Sequence, residues 1–197
     1  MGKIEKVRVY VNGILDRIDH AENKHIAYIH TYGVLQCCAL LAVKRGLDLE
    51  LATAIGLLHD AYAYQTGITA LHSHNGADMI KVAFKHRLAG IFTADEQTII
   101  KSAIYHHSDK SHVHDAYDEL LKDGDTLQHL SFDNTFGWIY GQRLLHIAKE
   151  LSLPRLSITI LQKRNRWQAP LYNPAWAILP QPSQAREYQG KSLMRTL

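Results

Sequence analysis

No proline interrupts the first 153 residues of this 197-residue chain; all five prolines fall from Pro154 onward. Inside a helix, proline removes a backbone donor and clashes with the preceding turn. So long a stretch without one is free to run as helix after helix, and apolar residues recur through it at helical spacing. Strand-like alternation is scarce, apart from a short run at Val7–Val11. The pattern predicts helices over about 3–19, 23–45, 48–61, 73–88, 94–107, 115–130 and 137–151. Local chemistry marks several of their ends. Gly46 follows Lys44 and Arg45, so cations meet the negative helix end and glycine takes the left-handed turn. Gly90 follows the 73–88 segment in the same way. Thr93 with Glu96 three residues on fits a capping box opening the next helix.

The chain therefore reads as one all-α domain over residues 1–153, followed by an irregular C-terminal extension over 154–197. Residues 155–164 suit one more helix or strand. Beyond them, Trp167, Tyr172 and Trp176 are expected to pack on the domain or to clasp a second subunit as a homodimer arm. Hydrophobic residues at 46% and charged residues at 21% exclude a disordered chain or a coiled coil. No apolar run reaches the roughly 18 residues of a membrane span, and Met1-Gly2-Lys3-Ile4-Glu5 lacks a leader's apolar block, so a cytoplasmic protein without a membrane partner is expected. A net charge of +3 without a basic stripe argues against nucleic acid. Cys37 and Cys38 are adjacent, which rules out both a disulfide framework and a Cys-x-x-Cys zinc site.

The composition departs from the ordinary in its 13 histidines, nine of them between His59 and His129. Leu51, Ala54, Ile55 and Leu58 form an apolar stripe leading into His59-Asp60. His30 shares a face with Ile26, Val34 and Cys37, and Gly33 beside it permits close approach of another helix. His107 follows Ile100, Ala103 and Ile104 on a buried face. His74 stands near a helix start ahead of Gly76-Ala77, and Asp125 follows Leu121 by one turn. Singly, each is an unremarkable core residue. Together they put too many polar groups inside to go without partners, and convergence on one metal site would satisfy them jointly.

The order His30, His59-Asp60, Asp125 resembles the HD superfamily of metal-dependent phosphohydrolases. The contexts His30-x-x-Gly33-Val34, Leu57-Leu58-His59-Asp60 and Asp125-Thr126-Leu127 agree with it, as do His74-Asn75-Gly76-Ala77 and Ala103 through Ser108 around His107. The likeness covers about residues 25–130. It implies an HD-domain helical bundle in which His30, His59, Asp60 and Asp125 hold a divalent ion (Mn, Fe, Co, Ni, Zn or Mg). His74 and His107 would hold a second ion bridged by Asp60, or donate hydrogen bonds to substrate, so that Asp60, His74 and His107 are the catalytic set. His72 competes with His74 and His106 with His107; likeness to the family's spacing, Gly76-Ala77 after the one and Ile104 before the other, favours His74 and His107. The implied activity is hydrolysis of a phosphomonoester or phosphodiester in a small phosphorylated substrate, a nucleotide or related molecule, by metal-activated water. A di-iron oxygenase or lyase on the same scaffold is one alternative. A non-catalytic metal- and nucleotide-binding sensor is another, kept alive by the uncharged Ala61-Tyr62-Ala63-Tyr64 where many members carry a charge. Lys110 is a candidate phosphate contact or a solvated loop lysine. Tyr62 and Tyr64 either line the pocket or pack. His20, His86, His112, His114, His129 and His146 read as surface or capping residues, and Cys37 and Cys38 as small core residues.

Overall fold

The computed structural model describes residues 1–132 and 138–157, and the regular structure among them is entirely helical. The helices are α1 (Lys3–Leu15), α2 (Ala21–Arg45), α3 (Leu49–Leu58), α4 (Ala61–Thr66), α5 (His72–Ala83), α6 (Ala94–His106), α7 (Ala116–Phe132) and α8 (Trp138–Glu150). The possible strand at residues 7–11 is instead part of α1, with Val7, Val11, Ile14 and Leu15 on its buried face. Residues 158–197, with most of the expected C-terminal extension and its aromatic residues, lie outside the described part.

Three helix ends follow the local chemistry. Gly46 closes α2 at φ 66°, its N–H donating to the Ala42 carbonyl. The Asp48 side chain accepts from the Leu51 N–H at 2.7 Å and opens α3. Thr93 and Glu96 form the reciprocal capping box of α6. Two ends differ from the periodicity. α5 stops at Ala83, and a run of turns leads to Gly90 at φ 68°. The expected 48–61 helix stops at Leu58, and a short helix restarts at Ala61. Asp60 at the junction has φ −107° and ψ 11°, outside the helical well. In an unbroken helix, neighbouring side chains diverge by about 100°. The break lets His59 and Asp60 face the same interior.

α2 is the central helix and packs chiefly on α3 and α7. By length and composition alone it is apolar enough to cross a membrane, a feature that core helices share. Here His30, Thr31, Val34, Cys38 and Leu41 are buried within the bundle. Two glycines set how near its partners come. A Cβ on Gly56 would lie 2.7 Å from the Leu35 Cα, so α3 and α2 meet backbone to backbone. A Cβ on Gly33 would lie 2.8 Å from Cγ of Gln128, which brings α7 close beside His30. The surrounding core, including Leu41, Ile55, Leu58, Ile80, Ile100, Ile104 and Leu121, is fully buried. Each such side chain contributes about 1.5–3 kcal/mol, and together they offset the cost of burying a polar centre.

Because a backbone atom rather than a flexible side chain blocks the space at Gly56, Gly56→Ala should destabilise the fold by about 1–3 kcal/mol or more. Thermal or urea unfolding measures this, and a variant as stable as the parent would contradict the close packing of α2 on α3.

Candidate metal centre

Five segments deliver donors to one interior point. His30 comes from the middle of α2 and His59 from the end of α3. Asp60 is at the α3–α4 break, His72 begins α5, His107 follows α6, and Asp125 lies in α7. His30, His59, Asp60, His107 and Asp125 are all buried, and His72 is partly so.

The hydrogen bonds on the outer side of the rings fix their tautomers. Each of four imidazoles turns Nδ1 toward a carbonyl oxygen, which can only accept, so each Nδ1 carries the proton. His30 donates to Gln128 Oε1 at 2.7 Å, His59 to the Gly56 carbonyl at 2.8 Å, His72 to the Thr69 carbonyl at 2.9 Å and His107 to the Ile104 carbonyl at 2.6 Å. The four Nε2 lone pairs therefore point inward. They meet in pairs, His30 with His59 at 3.1 Å and His72 with His107 at 3.0 Å. Two facing lone pairs repel unless a proton or a metal cation lies between them.

Asp60 sits between the two pairs. Its Oδ2 is 3.5 Å from His30 Nε2 and 3.4 Å from His59 Nε2; its Oδ1 is 3.3 Å from Nε2 of both His72 and His107. Oδ1 is buried and makes no hydrogen bond. Asp125 Oδ1 completes the first group, 3.6 Å from His30 Nε2, and is joined by His129 Nε2 at 3.3 Å. Donors about 2.0–2.1 Å from a shared ion stand roughly 3.0–3.4 Å from one another. The spacings and the mixed imidazole–carboxylate set fit a divalent ion, and three overlapping groups of donors qualify: His30 with His59 and Asp60, His30 with Asp125 and His129, and Asp60 with His72 and His107.

The electrostatics favour a cation here. Burial opposes the charge of Asp60, but His59, His107 and His30 around it hold the carboxyl well below the usual carboxylate range. Burial likewise opposes the charge of Asp125, and Lys110 with His129 and His30 more than reverses that. Burial also disfavours protonated His30 and His72, but Asp60 raises both above the ordinary imidazole value. Burial, with His59 and His72 nearby, pushes His107 below it despite Asp60. Each pair thus has a ring with a high affinity for positive charge beside Asp60.

The structure departs from the sequence expectation at His74. Its ring packs on Tyr105 at 4.2 Å, and His72 occupies the interior position instead. Residues two apart on a helix point about 200° apart, so only one of the two can face inward. Leu71, at φ 52°, precedes His72 at the start of α5, and the His72 ring is turned toward Thr69 and Asp60. Of His106 and His107, the second faces inward. His106 contacts Asp118 at 2.8 Å and stacks on His114. His112 is on the outside against Asp109.

Lys110 is not a solvated loop residue. It is buried, with Nζ 2.6 Å from Asp125 Oδ2 and 3.2 Å from the Lys122 carbonyl. It lines the pocket over the donors together with Ser108, His129 and Tyr140, whereas Tyr62 and Tyr64 do not line it. His129 and Gln128 were missed by the sequence reading. His129 was accessible to it, since it lies one helical turn after Asp125 and so shares its face.

The HD domain family matches residues 27–130 of the chain. No curated protein and no solved structure matches it.

On this geometry His72→Ala should weaken Mn²⁺ binding, while His74→Ala should leave it unchanged. Gln128→Leu, which frees the outer nitrogen of His30, should cost about 10–100-fold in metal affinity. Titration with Mn²⁺, following the free ion by electron paramagnetic resonance, distinguishes these. Equal losses at His72 and His74 would contradict the assignment.

Proposed function

This chain belongs to the HD domain family, and on that basis we propose that it is a metal-dependent phosphohydrolase acting on the phosphomonoester or phosphodiester bond of a nucleotide or related small molecule. The observation that carries the proposal is the pairing of inward Nε2 lone pairs across the two oxygens of Asp60. One pair, with Asp60 Oδ2 and Asp125 Oδ1, would hold a first divalent ion. The other, with Asp60 Oδ1, would hold a second.

When bound, such ions supply Lewis acidity toward phosphoryl oxygens and a lowered pKa for water. The protein's part is orientation and charge. The four outer Nδ1 hydrogen bonds keep each ring from turning and reserve its inner nitrogen. Asp60 and Asp125 remain ionised despite burial, and two bound divalent ions would outweigh their two negative charges, suiting the pocket to an anionic substrate. Lys110 contributes a further positive charge. An ammonium has three N–H donors, and two are used by Asp125 and the Lys122 carbonyl, which leaves one for a phosphate oxygen. Asp60 and His107 keep the catalytic roles expected of them, and the role expected of His74 passes to His72. The sensor reading draws on the missing charge after Asp60; Lys110, reaching the pocket from the segment after α6, supplies a charge there.

Purified protein should hydrolyse a chromogenic phosphodiester or a member of a nucleotide panel with Mn²⁺, and should lose activity with chelator. Asp60→Ala should lower the rate about a hundredfold or more. Metal analysis should count two Mn²⁺ per chain, falling to one in His107→Ala. Hydrolysis that survives both metal removal and Asp60→Ala would sink the proposal. Substrate-dependent oxygen uptake would point to an oxygenase instead.

A further inference from the structure

α8 lies beyond the residues that match the family, yet it reaches the pocket twice, through Tyr140 on the wall and through Arg143 behind it. Among the described residues, the hydrogen bonds of Arg143 go to none of the metal donors. Its Nε donates to the Lys110 carbonyl at 3.0 Å, one terminal nitrogen to Asp123 Oδ1 at 2.8 Å and the other to Glu119 Oε2 at 2.9 Å. A guanidinium presents its donors in a rigid planar fork, so the three acceptors are fixed relative to one another. Two of them are residues of α7; the third is the backbone of the segment between α6 and α7.

We propose that Arg143 is a positioning residue of the metal pocket, holding the Lys110 backbone so that its ammonium stays on Asp125 and faces the substrate phosphate. The inference rests on the phosphohydrolase reading above.

The distribution of partners makes the backbone contact the sensitive one. Asp123 also receives Arg45 on its other oxygen at 2.7 Å, and Glu119 also receives Lys122 at 2.8 Å. Loss of Arg143 leaves both acids with a cation. The Lys110 carbonyl has Arg143 as its hydrogen-bond donor among the described residues. Lysine has a long, rotatable stem, and its ammonium position is only as well defined as the backbone from which it starts. That backbone lies in a connection between helices, where nothing regular holds it. With the carbonyl anchored from outside and the ammonium bound to Asp125 Oδ2 and the Lys122 carbonyl, the residue is fixed at both ends. Asp125 is oriented in turn: Oδ2 is taken by Lys110, and Oδ1 faces His30 and His129.

The test uses the full chain loaded with Mn²⁺, in the parent, Arg143→Gln, Arg143→Lys, Lys110→Met and the Arg143→Gln/Lys110→Met double variant. Four quantities are read: KM and kcat on a chromogenic phosphodiester, the dissociation constant of inorganic phosphate by calorimetry, Mn²⁺ affinity, and thermal unfolding. Arg143→Gln should raise KM and the phosphate dissociation constant about tenfold, with kcat changed less and Mn²⁺ affinity nearly unchanged. Lys110→Met should raise KM and the phosphate dissociation constant further and, by freeing Asp125 Oδ2, should also weaken Mn²⁺ binding; the double variant should be no worse than Lys110→Met alone, because the two residues act in series. Arg143→Lys keeps the charge without the fork, and an intermediate loss is expected; it carries the test if Arg143→Gln does not fold. Unchanged phosphate affinity in a folded Arg143 variant would overturn the inference, as would effects of Arg143 and Lys110 that multiply. A parent protein that loads Mn²⁺ but neither binds phosphate nor turns over substrate would instead overturn the phosphohydrolase reading, and this inference with it.

Discussion

Four imidazoles whose outer nitrogens are committed to carbonyl oxygens must present lone pairs on their inner side, and here those lone pairs face each other at about 3 Å in a buried space. Without positive charge between them the arrangement is repulsive, and in a low-dielectric interior that repulsion is poorly screened. Much of the architecture serves to hold this unfavourable geometry. The close contact at Gly56 brings the end of α3 against α2, and the same residue's carbonyl locks His59. The α3–α4 break turns Asp60 to lie between the two pairs. Gln128 approaches over Gly33 and locks His30. The glycines do not merely save space, since Gly33 lets in the side chain that fixes the His30 ring and Gly56 holds the His59 ring with its own carbonyl.

A second layer of charge surrounds the first. Lys110 sits on Asp125, and beyond it Asp123, Glu119, Arg143, Arg45 and Glu150 form a ladder that ties α2, α7 and α8 together. Within it Glu150 lies below the usual carboxylate range because of its hydrogen bonds to Arg45, with burial opposing. Partly buried ion pairs of this kind add little net stability one at a time, because desolvation cancels most of the attraction. Their value lies in geometry. A planar arginine fork between two helices and a loop leaves little freedom of register, and that register is what places the Lys110 ammonium.

The parts of this picture that were legible in the sequence are those decided by neighbours in the chain. The glycine stop at Gly46 and the Thr93–Glu96 box involve residues a few positions apart, so their chemistry is visible locally. The inward faces of His30, His107 and Asp125 follow from helical spacing against apolar neighbours, and the HD likeness over residues 25–130 rested on that order. What sequence could not supply was set by tertiary contact. Ala61–Thr66 continues a helical pattern, and only the backbone of Asp60 shows that the helix has been broken and restarted. His72 rather than His74 faces the interior of a helix that opens after Leu71 in a left-handed conformation, which leucine disfavours by roughly 1–2 kcal/mol, and no local rule foretells that helix start. Lys110 looked like a loop lysine because its partners, Asp125 and the Lys122 carbonyl, lie 12 to 15 residues further on.

The donors come from five separate stretches of the bundle, from the middle of α2 to α7. Ions shared among them would therefore cross-link the bundle. Any species that binds the native chain and not the unfolded one adds to its stability, by about 2.7 kcal/mol at a free concentration a hundredfold above its dissociation constant. Scarcity of the ions would then loosen the bundle itself, and the lifetime of the protein would track the supply of the metal.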